Sequence, residues 1–229
     1  MKITEIYPTI QGEGPYVGRA IIVLRTGVCN LQCSWCDTKY SWQKDSLPNL
    51  KNVANENQAL SIINEIEAAG MKNNAHTILL TGGEPMIWQK DESLQYIINW
   101  FHTKGWQIHC ETNGTVPLTY GLLYDFLSIS PKVGEYFDSY KHEVMNTYLK
   151  HNHKVFKFVI GDYKDVAHLI SFVNKFKLFS QSIWLMPRGT TPSELNESID
   201  HIENARSFIE NFDITFHVSE RRHILLNVR

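Results

Sequence analysis

The chain is short of cysteine, of long apolar runs and of excess charge of either sign, and each shortage excludes a class of proteins. Four cysteines in 229 residues do not make a disulfide-stapled miniprotein, which compensates a small core with cross-links. The longest apolar runs are about as long as Ala20-Ile21-Ile22-Val23-Leu24, far below the roughly 18 residues of a spanning helix. Met1-Lys2-Ile3-Thr4-Glu5 lacks the apolar centre of a secretion signal. With 22 basic against 24 acidic residues, no global field draws the chain onto nucleic acid or an anionic membrane. Biased tracts are missing as well: 43% apolar and 20% charged residues form an ordinary globular composition, which excludes wholesale disorder. The expectation is a cytoplasmic protein without nucleic-acid or membrane partners, folded as a single domain over residues 1–229.

From Ala20 onward, short β-rich runs alternate with helical periodicity. The strand candidates are Ala20–Thr26, Thr77–Thr81, Gln107–Glu111, Phe126–Ser130, Val155–Ile160 and Ser182–Met186. Helical spacing marks Gln58–Ala69, the segment carrying Leu94, Ile97, Ile98 and Phe101, then Asp165–Phe176 and Ser193–Asn211. Ile214–Val218 and His223–Val228 read as extended chain, 45–56 as a loop, and the crossovers after the third and fourth strands as poor in helix. About six parallel strands cannot close an eight-stranded barrel. The predicted fold is therefore α/β, a partial TIM-like β/α barrel, with a doubly wound open sheet as the competing architecture.

In both architectures functional residues gather on the loops after strand ends, and the unusual residues lie there. The first such loop holds Cys29, Cys33 and Cys36 at C-x3-C-x2-C, a spacing that lets three thiolates face one centre. Three is one short of a structural zinc site but suits a cubane cluster with one iron left open. Cys110 or His109 would have to be the fourth zinc ligand; the plainer reading of Cys110 is a buried strand residue. Gly82-Gly83 ends the second strand, where two missing β-carbons admit another backbone or a ligand. Gln11-Gly12-Glu13-Gly14 is either a hairpin turn or a ligand contact, and is not a dinucleotide fingerprint, because position 17 is Val17. Arg25, within an apolar strand, calls for an anionic partner, either a structural carboxylate or one on a substrate.

Taken in order, the QGEG segment, Arg25, the three cysteines followed by Asp37-Thr38, Thr81-Gly82-Gly83-Glu84-Pro85 and Glu111-Thr112-Asn113-Gly114-Thr115 resemble a radical S-adenosylmethionine enzyme. More narrowly they are similar to the 7-carboxy-7-deazaguanine synthase family, in register from about Tyr7 to Lys132, with weaker echoes at Lys157-Phe158-Val159, Met186-Pro187 and Arg222-His223. The resemblance implies a carbon–nitrogen lyase that contracts the ring of 6-carboxy-5,6,7,8-tetrahydropterin with loss of ammonia, on the route to queuosine and other 7-deazapurines in tRNA. It implies a 4Fe-4S cluster on Cys29, Cys33 and Cys36, Mg²⁺ on Thr38, and S-adenosylmethionine held by Gly83, Glu84, Asn113, Ser130, Pro131 and Lys132. Substrate would contact Ile10, Gln11, Gly12, Arg25 and Thr81, with no side chain as catalyst because the radical arises on the cofactor. A flavodoxin or ferredoxin reductant and a homodimer complete the expectation. A glycyl-radical-enzyme activase would share the cysteines and GGEP without needing QGEG or Arg25, and an electron-transfer protein would leave the strand-end motifs idle. Arg188 and the terminal Asn227-Val228-Arg229 match no role.

Overall fold

The computed structural model describes residues 1–45, 49–120 and 123–227. Part of the loop expected over 45–56, and Val228 and Arg229, lie outside the described residues. The chain gathers into two compact units. One comprises Met1–Ile10, Arg19–Thr112 and Leu118–Leu127; the other comprises Gln11–Gly18, Asn113–Pro117 and the chain from Ser128 onward.

The first unit carries strands β1 (Lys2–Ile10), β2 (Ala20–Thr26), β3 (Lys51–Asn52), β4 (Thr77–Gly82) and β5 (Gln107–Thr112), with helices α1 (Glu56–Asn73) and α2 (Glu92–Thr103). Its strand order is β3-β1-β2-β4-β5; β2, β4 and β5 run parallel, and β1 runs antiparallel to both neighbours. Each helix begins at a side-chain cap. Asn55 accepts from Gln58 N–H at 3.0 Å, and Asp91 accepts from Ser93 and Leu94 N–H at 3.0 and 3.2 Å, satisfying otherwise orphaned donors. Ala59, Ile62, Ile63 and Ile66 of α1 and Leu94, Ile97, Ile98 and Phe101 of α2 are buried at helical spacing where the helices pack on each other and on the sheet. Strand side chains alternate between faces, so Ile22, Leu24, Ile78, Leu80 and Ile108 form the buried set on one side. On the other side Ile21, Val23 and Leu79 pack with Tyr7, and the register continues toward the strand ends into paired Arg25 and Thr81. The helix-covered face thus supplies apolar burial, and the opposite face turns polar at its C-terminal end.

Strand β6 (Phe126–Ile129) begins in the first unit and ends in the second. The second unit continues with α3 (Val133–Tyr136), α4 (His142–Leu149), β7 (Lys154–Ile160), α5 (Tyr163–Phe176), β8 (Ile183–Pro187), α6 (Pro192–Asn204), α7 (Arg206–Glu210), β9 (Phe216–Val218) and α8 (Arg222–Leu225). Strands β7, β8 and β9 are neighbours and parallel. Phe172 of α5 stands edge-on to Tyr140 and Phe158 at centroid distances of 5.0 and 5.6 Å, and 4.6 Å from Phe176, in favourable aromatic geometry.

All six expected strands are present. The antiparallel β1 and short β3 are additions, and β9 falls within the extended Ile214–Val218. Three expectations are corrected. His223–Val228 is not extended: Arg221 adopts a left-handed conformation, φ 45°, and turns the chain into α8. The crossover after the fourth expected strand carries α3 and α4, whose Val133, Met145 and Tyr148 are buried. The helix expected over Ser193–Asn211 divides at Ala205, where ψ near −2° takes the backbone out of the helical range between α6 and α7. Among the described residues, no helix is long and apolar enough to cross a membrane.

Candidate active site

In the first unit the cysteine loop is fixed by backbone contacts before any side chain contributes. Gly83 N–H donates to Thr26 C=O at 3.0 Å, and Glu84 N–H donates to Val28 C=O at 2.8 Å. A Cβ on Gly82 would collide with Thr26 backbone, and one on Gly83 with the Val28 carbonyl, both inside the 3.0 Å that real Cβ atoms respect. The glycine pair therefore lets β4 close onto the root of the cysteine loop, so the approaching group is another backbone. Val28 itself sits at φ 72°, a strained conformation for a β-branched residue, between these contacts and a bond from its N–H to Ser41 C=O at 2.8 Å.

Beyond Val28, Cys29 and Cys36 are half-buried and Cys33 is buried, and none of the three is in a disulfide. Burial pushes the Cys29 thiol up to about 11; the Leu31 N–H, 3.4 Å from its sulfur, opposes, and negative Glu84 adds to the rise. Cys36 Sγ accepts from the Trp42 indole N–H at 3.4 Å and lies 3.6 Å from Thr38 Oγ1. Among the described residues no three His, Cys, Asp or Glu side chains converge tightly enough for a single metal ion. Cys110 is fully buried on β5, its thiol pushed well up by burial, and His109 is driven down to about 4, chiefly by burial and further by Arg19. Three thiols on one loop, none in a disulfide and two of them accepting N–H bonds, fit a cubane whose cysteines hold different irons.

Arg25 has a structural partner. Its Nε donates to Glu5 Oε1 at 2.7 Å and its Nη2 to the Tyr7 hydroxyl at 3.1 Å, while the Tyr40 hydroxyl donates to the same Glu5 oxygen at 2.8 Å. The arrangement raises the Arg25 pKa despite burial; burial and Glu5 raise Tyr40 to about 12. Thr81, paired in register with Arg25, donates to Glu111 Oε2 at 3.4 Å. Ile10 ends β1 opposite Ala20. Glu84 is fully buried, its Oε1 accepting from Met86 N–H at 3.0 Å and Thr112 Oγ1 at 2.7 Å, which caps the 3-10 turn Pro85–Trp88. The structure thus brings Arg25, Thr81 and Glu111, the head of the motif after the third expected strand, onto one sheet end together with the unforeseen Glu5. Glu5 could have been found from its period-2 spacing with Tyr7.

In the second unit QGEG makes a turn closed by Gly18 N–H to Gln11 C=O at 2.8 Å, with Gly14 and Gly18 at φ 68° and 89°. The turn also anchors distant chain. Glu13 binds Lys157 Nζ at 2.6 Å through one oxygen and Arg221 Nε at 3.1 Å through the other. Burial would raise the Glu13 pKa, but Lys157 and Arg221 outweigh it, aided by His223, and hold the carboxyl at about 2. Arg222 N–H donates to Gly12 C=O at 2.9 Å, and Gly12 lies so close under the His223 ring that no Cβ would fit.

The same unit gathers Asn113, Ser130, Pro131 and Lys132 around Tyr140, which sequence reasoning missed. The Tyr140 hydroxyl donates to Asn113 C=O at 3.0 Å and accepts from Lys132 N–H at 2.7 Å. Asn113 Oδ1 accepts from Thr115 N–H at 2.9 Å, and Lys132 Nζ donates to Ser130 Oγ at 2.9 Å. Nothing in the spacing around Tyr140 marks this role; only the folded α3–α4 segment reveals it. Arg188, left without a role by the sequence, pairs with Asp165 at 3.2 Å.

Comparison with known proteins adds family evidence. The model of the Radical SAM superfamily matches residues 23–202. A 7-carboxy-7-deazaguanine synthase of Pyrobaculum aerophilum is 29% identical over 209 residues, covering 90% of this chain and 87% of that one. The synthase of Thermoplasma acidophilum is 33% identical over 185 residues, 77% of this chain and 78% of its own. The crystal structure of QueE from Escherichia coli matches with a TM-score of 0.64 at 22% identity, covering 96% of this chain and 93% of that one. A likeness at that identity speaks for the fold alone, and the fold is the partial TIM-like β/α architecture expected from the strands.

Proposed function

The chain belongs to the radical S-adenosylmethionine superfamily and, within it, to the 7-carboxy-7-deazaguanine synthase family, and from that premise we propose that it converts 6-carboxy-5,6,7,8-tetrahydropterin to 7-carboxy-7-deazaguanine with loss of ammonia. Its cofactors are a 4Fe-4S cluster and S-adenosylmethionine. When bound, they supply a 5′-deoxyadenosyl radical, the hydrogen-abstracting species of the reaction.

The protein's part is to hold, orient and shield. Cys29, Cys33 and Cys36 hold the cluster. Gly83, Glu84, Asn113, Ser130, Pro131 and Lys132 serve S-adenosylmethionine, the first two mainly through backbone, since the Glu84 carboxylate is taken up by Met86 and Thr112. The Thr38 hydroxyl takes Mg²⁺, a hard oxygen-seeking ion. Ile10, Gln11, Gly12 and Thr81 contact substrate, and Arg25 pairs with its carboxylate. A guanidinium has five N–H donors and Arg25 uses two on Glu5 and Tyr7, which leaves the others for a substrate anion. The same pairing keeps Arg25 in place before substrate arrives, which lowers the ordering cost of binding.

The observation that carries this reading is Arg25 paired in register with Thr81 at the sheet end where the cysteine loop departs. A small flavodoxin or ferredoxin as electron source, a homodimer and a product destined for queuosine or another 7-deazapurine belong to the same proposal. The test is anaerobic reconstitution with iron and sulfide, then addition of S-adenosylmethionine, Mg²⁺, reductant and the carboxypterin, with products followed by mass spectrometry. The expected product is 7-carboxy-7-deazaguanine. Formation of 5′-deoxyadenosine alone would reassign the substrate, and neither product from a loaded cluster would overturn the reading. Thr38→Ala should blunt the Mg²⁺ response; an unaltered metal dependence removes Thr38 from that role.

A further inference from the structure

The Trp42 indole has a polar partner of an uncommon kind. Its N–H points to Cys36 Sγ at 3.4 Å, although a half-buried indole on a loop could instead donate to water or a carbonyl. The position is built by a tight turn. Residues Lys39–Ser41 form a 3-10 turn in which Ser41 N–H and Oγ both donate to Thr38 C=O, at 2.9 and 2.8 Å, and Trp42 N–H donates to Lys39 C=O at 3.1 Å. Fully buried Ser41 in turn accepts from Val28 N–H at 2.8 Å, which joins this turn to the residue preceding Cys29. These bonds fix the Trp42 backbone beside the cysteine loop, within reach of Cys36.

A thiolate that holds a cluster iron carries more negative charge after the cluster takes an electron, so an N–H donated to its sulfur favours the reduced form. The geometry points to Trp42 as a positioning residue that raises the reduction potential of the cluster through its N–H···Sγ bond to Cys36. This rests on Cys36 being a cluster ligand, the reading given under the proposed function. The stake is functional: reductive cleavage of S-adenosylmethionine starts from the reduced cluster, so the bond sets what fraction of the enzyme is poised to react at a given reductant potential.

The test is a potentiometric titration of the reconstituted full chain without S-adenosylmethionine, followed through the EPR signal of the reduced cluster. Trp42→Phe should lower the reduced-to-oxidised ratio three- to tenfold at the wild-type midpoint, about 28 to 59 mV downward for a one-electron couple. Trp88→Phe is the control, because its indole donates at 2.9 Å to the Gly27 carbonyl beside the same loop and touches no sulfur through that bond; its midpoint should stay put. Replacement of Trp42 by β-(3-benzothienyl)alanine keeps the shape and deletes only the N–H, and should reproduce the Trp42→Phe shift even if that variant loads poorly.

An unchanged midpoint in a loaded variant lacking the N–H overturns the inference. So does an equal shift in Trp88→Phe, which would assign the effect to loosening of the loop. A benzothienyl variant that folds but no longer holds a cluster also overturns it, since the N–H would then secure the cluster and not tune it. Retention of the cluster by Cys36→Ala would instead sink the ligand reading, an outcome separate from any midpoint.

Discussion

The Arg25 region of the first unit and the Glu13 region of the second both bury charge, but they are balanced differently. Around Arg25, one guanidinium faces one carboxylate, Glu5, across adjacent strands 20 residues apart in sequence, with two tyrosine hydroxyls in attendance. Around Glu13, one carboxylate faces two cations, Lys157 and Arg221, 144 and 208 residues away, with side chains only 6% and 10% exposed. The first arrangement engages two of the guanidinium N–H donors, one on Glu5 and one on Tyr7. The second shares one carboxylate between two cations, so removing it takes the same anion from Lys157 and Arg221 in a poorly solvated place, the costly way to break a buried pair. One region pairs charge across two adjacent strands, and the other ties the turn at Glu13 to β7 and to Arg221 at the start of α8.

The largest expected effect comes from breaking the second region. Glu13→Gln should cost about 3 to 5 kcal/mol of stability, read from urea unfolding. Its pH signature separates it from other losses. The Glu13 pKa is lowered from 4.5 to about 2, so its contribution is fully present above pH 4.5 and disappears as pH falls toward 2. A stability profile of Glu13→Gln should lack the part of the acid loss that this group gives the parent chain, on the order of 3 kcal/mol by linkage. Equal acid slopes in the two proteins would show that Glu13 is not the group responsible.

In the first region, Gly83→Ala should cost about 3 kcal/mol, because the new Cβ meets the Val28 carbonyl and neither backbone segment can yield cheaply. Unfolding of the cluster-free protein measures this apart from any effect on cofactor binding, and a midpoint within error of the parent would discard the interlock. Tyr140→Phe should cost about 1 to 2 kcal/mol, since it removes the hydroxyl that donates to the Asn113 carbonyl and accepts from Lys132 N–H. A weaker affinity for S-adenosylmethionine should accompany it; unchanged affinity with reduced stability would leave Tyr140 a purely structural bond.

The smallest effect sharpens the contrast. Arg25→Lys keeps the charge beside Glu5 but loses the planar fork, so stability should change little while the Michaelis constant for the pterin rises about tenfold, the ~1.4 kcal/mol of one charge-assisted hydrogen bond. An unchanged constant would take Arg25 out of substrate binding and leave it as the partner of Glu5 alone.

Much of the first region was legible in the sequence because its cues are local. Apolar runs with β-branched residues mark strands, Cys-x3-Cys-x2-Cys lies on one loop, and Gly82-Gly83 announces a close approach, although only the structure identifies the approaching group as Val28 backbone. Strand β1 escaped because Pro8 and Glu5 interrupt its pattern. Its ladder to β3 covers only Lys2 and Ile3, so the proline's missing N–H falls where that ladder has ended. Helix α8 escaped because His-Ile-Leu-Leu suits either state, and the left-handed turn at Arg221, braced by Glu13 and by the Gly189 carbonyl at 2.6 Å, decides it.

The sequence by itself determined the alternation of strands and helices, the loop that carries three thiols and the family these motifs mark, since each depends on neighbours within a few residues. Only the tertiary structure decided that Arg25 rests on Glu5, that Tyr140 joins Asn113 to Lys132, that Glu13 holds both Lys157 and Arg221, and that Trp42 points at Cys36. The physical reason is that a buried charge or donor must find a partner, yet which partner depends on which strands and turns meet, and spacing along the chain does not record that.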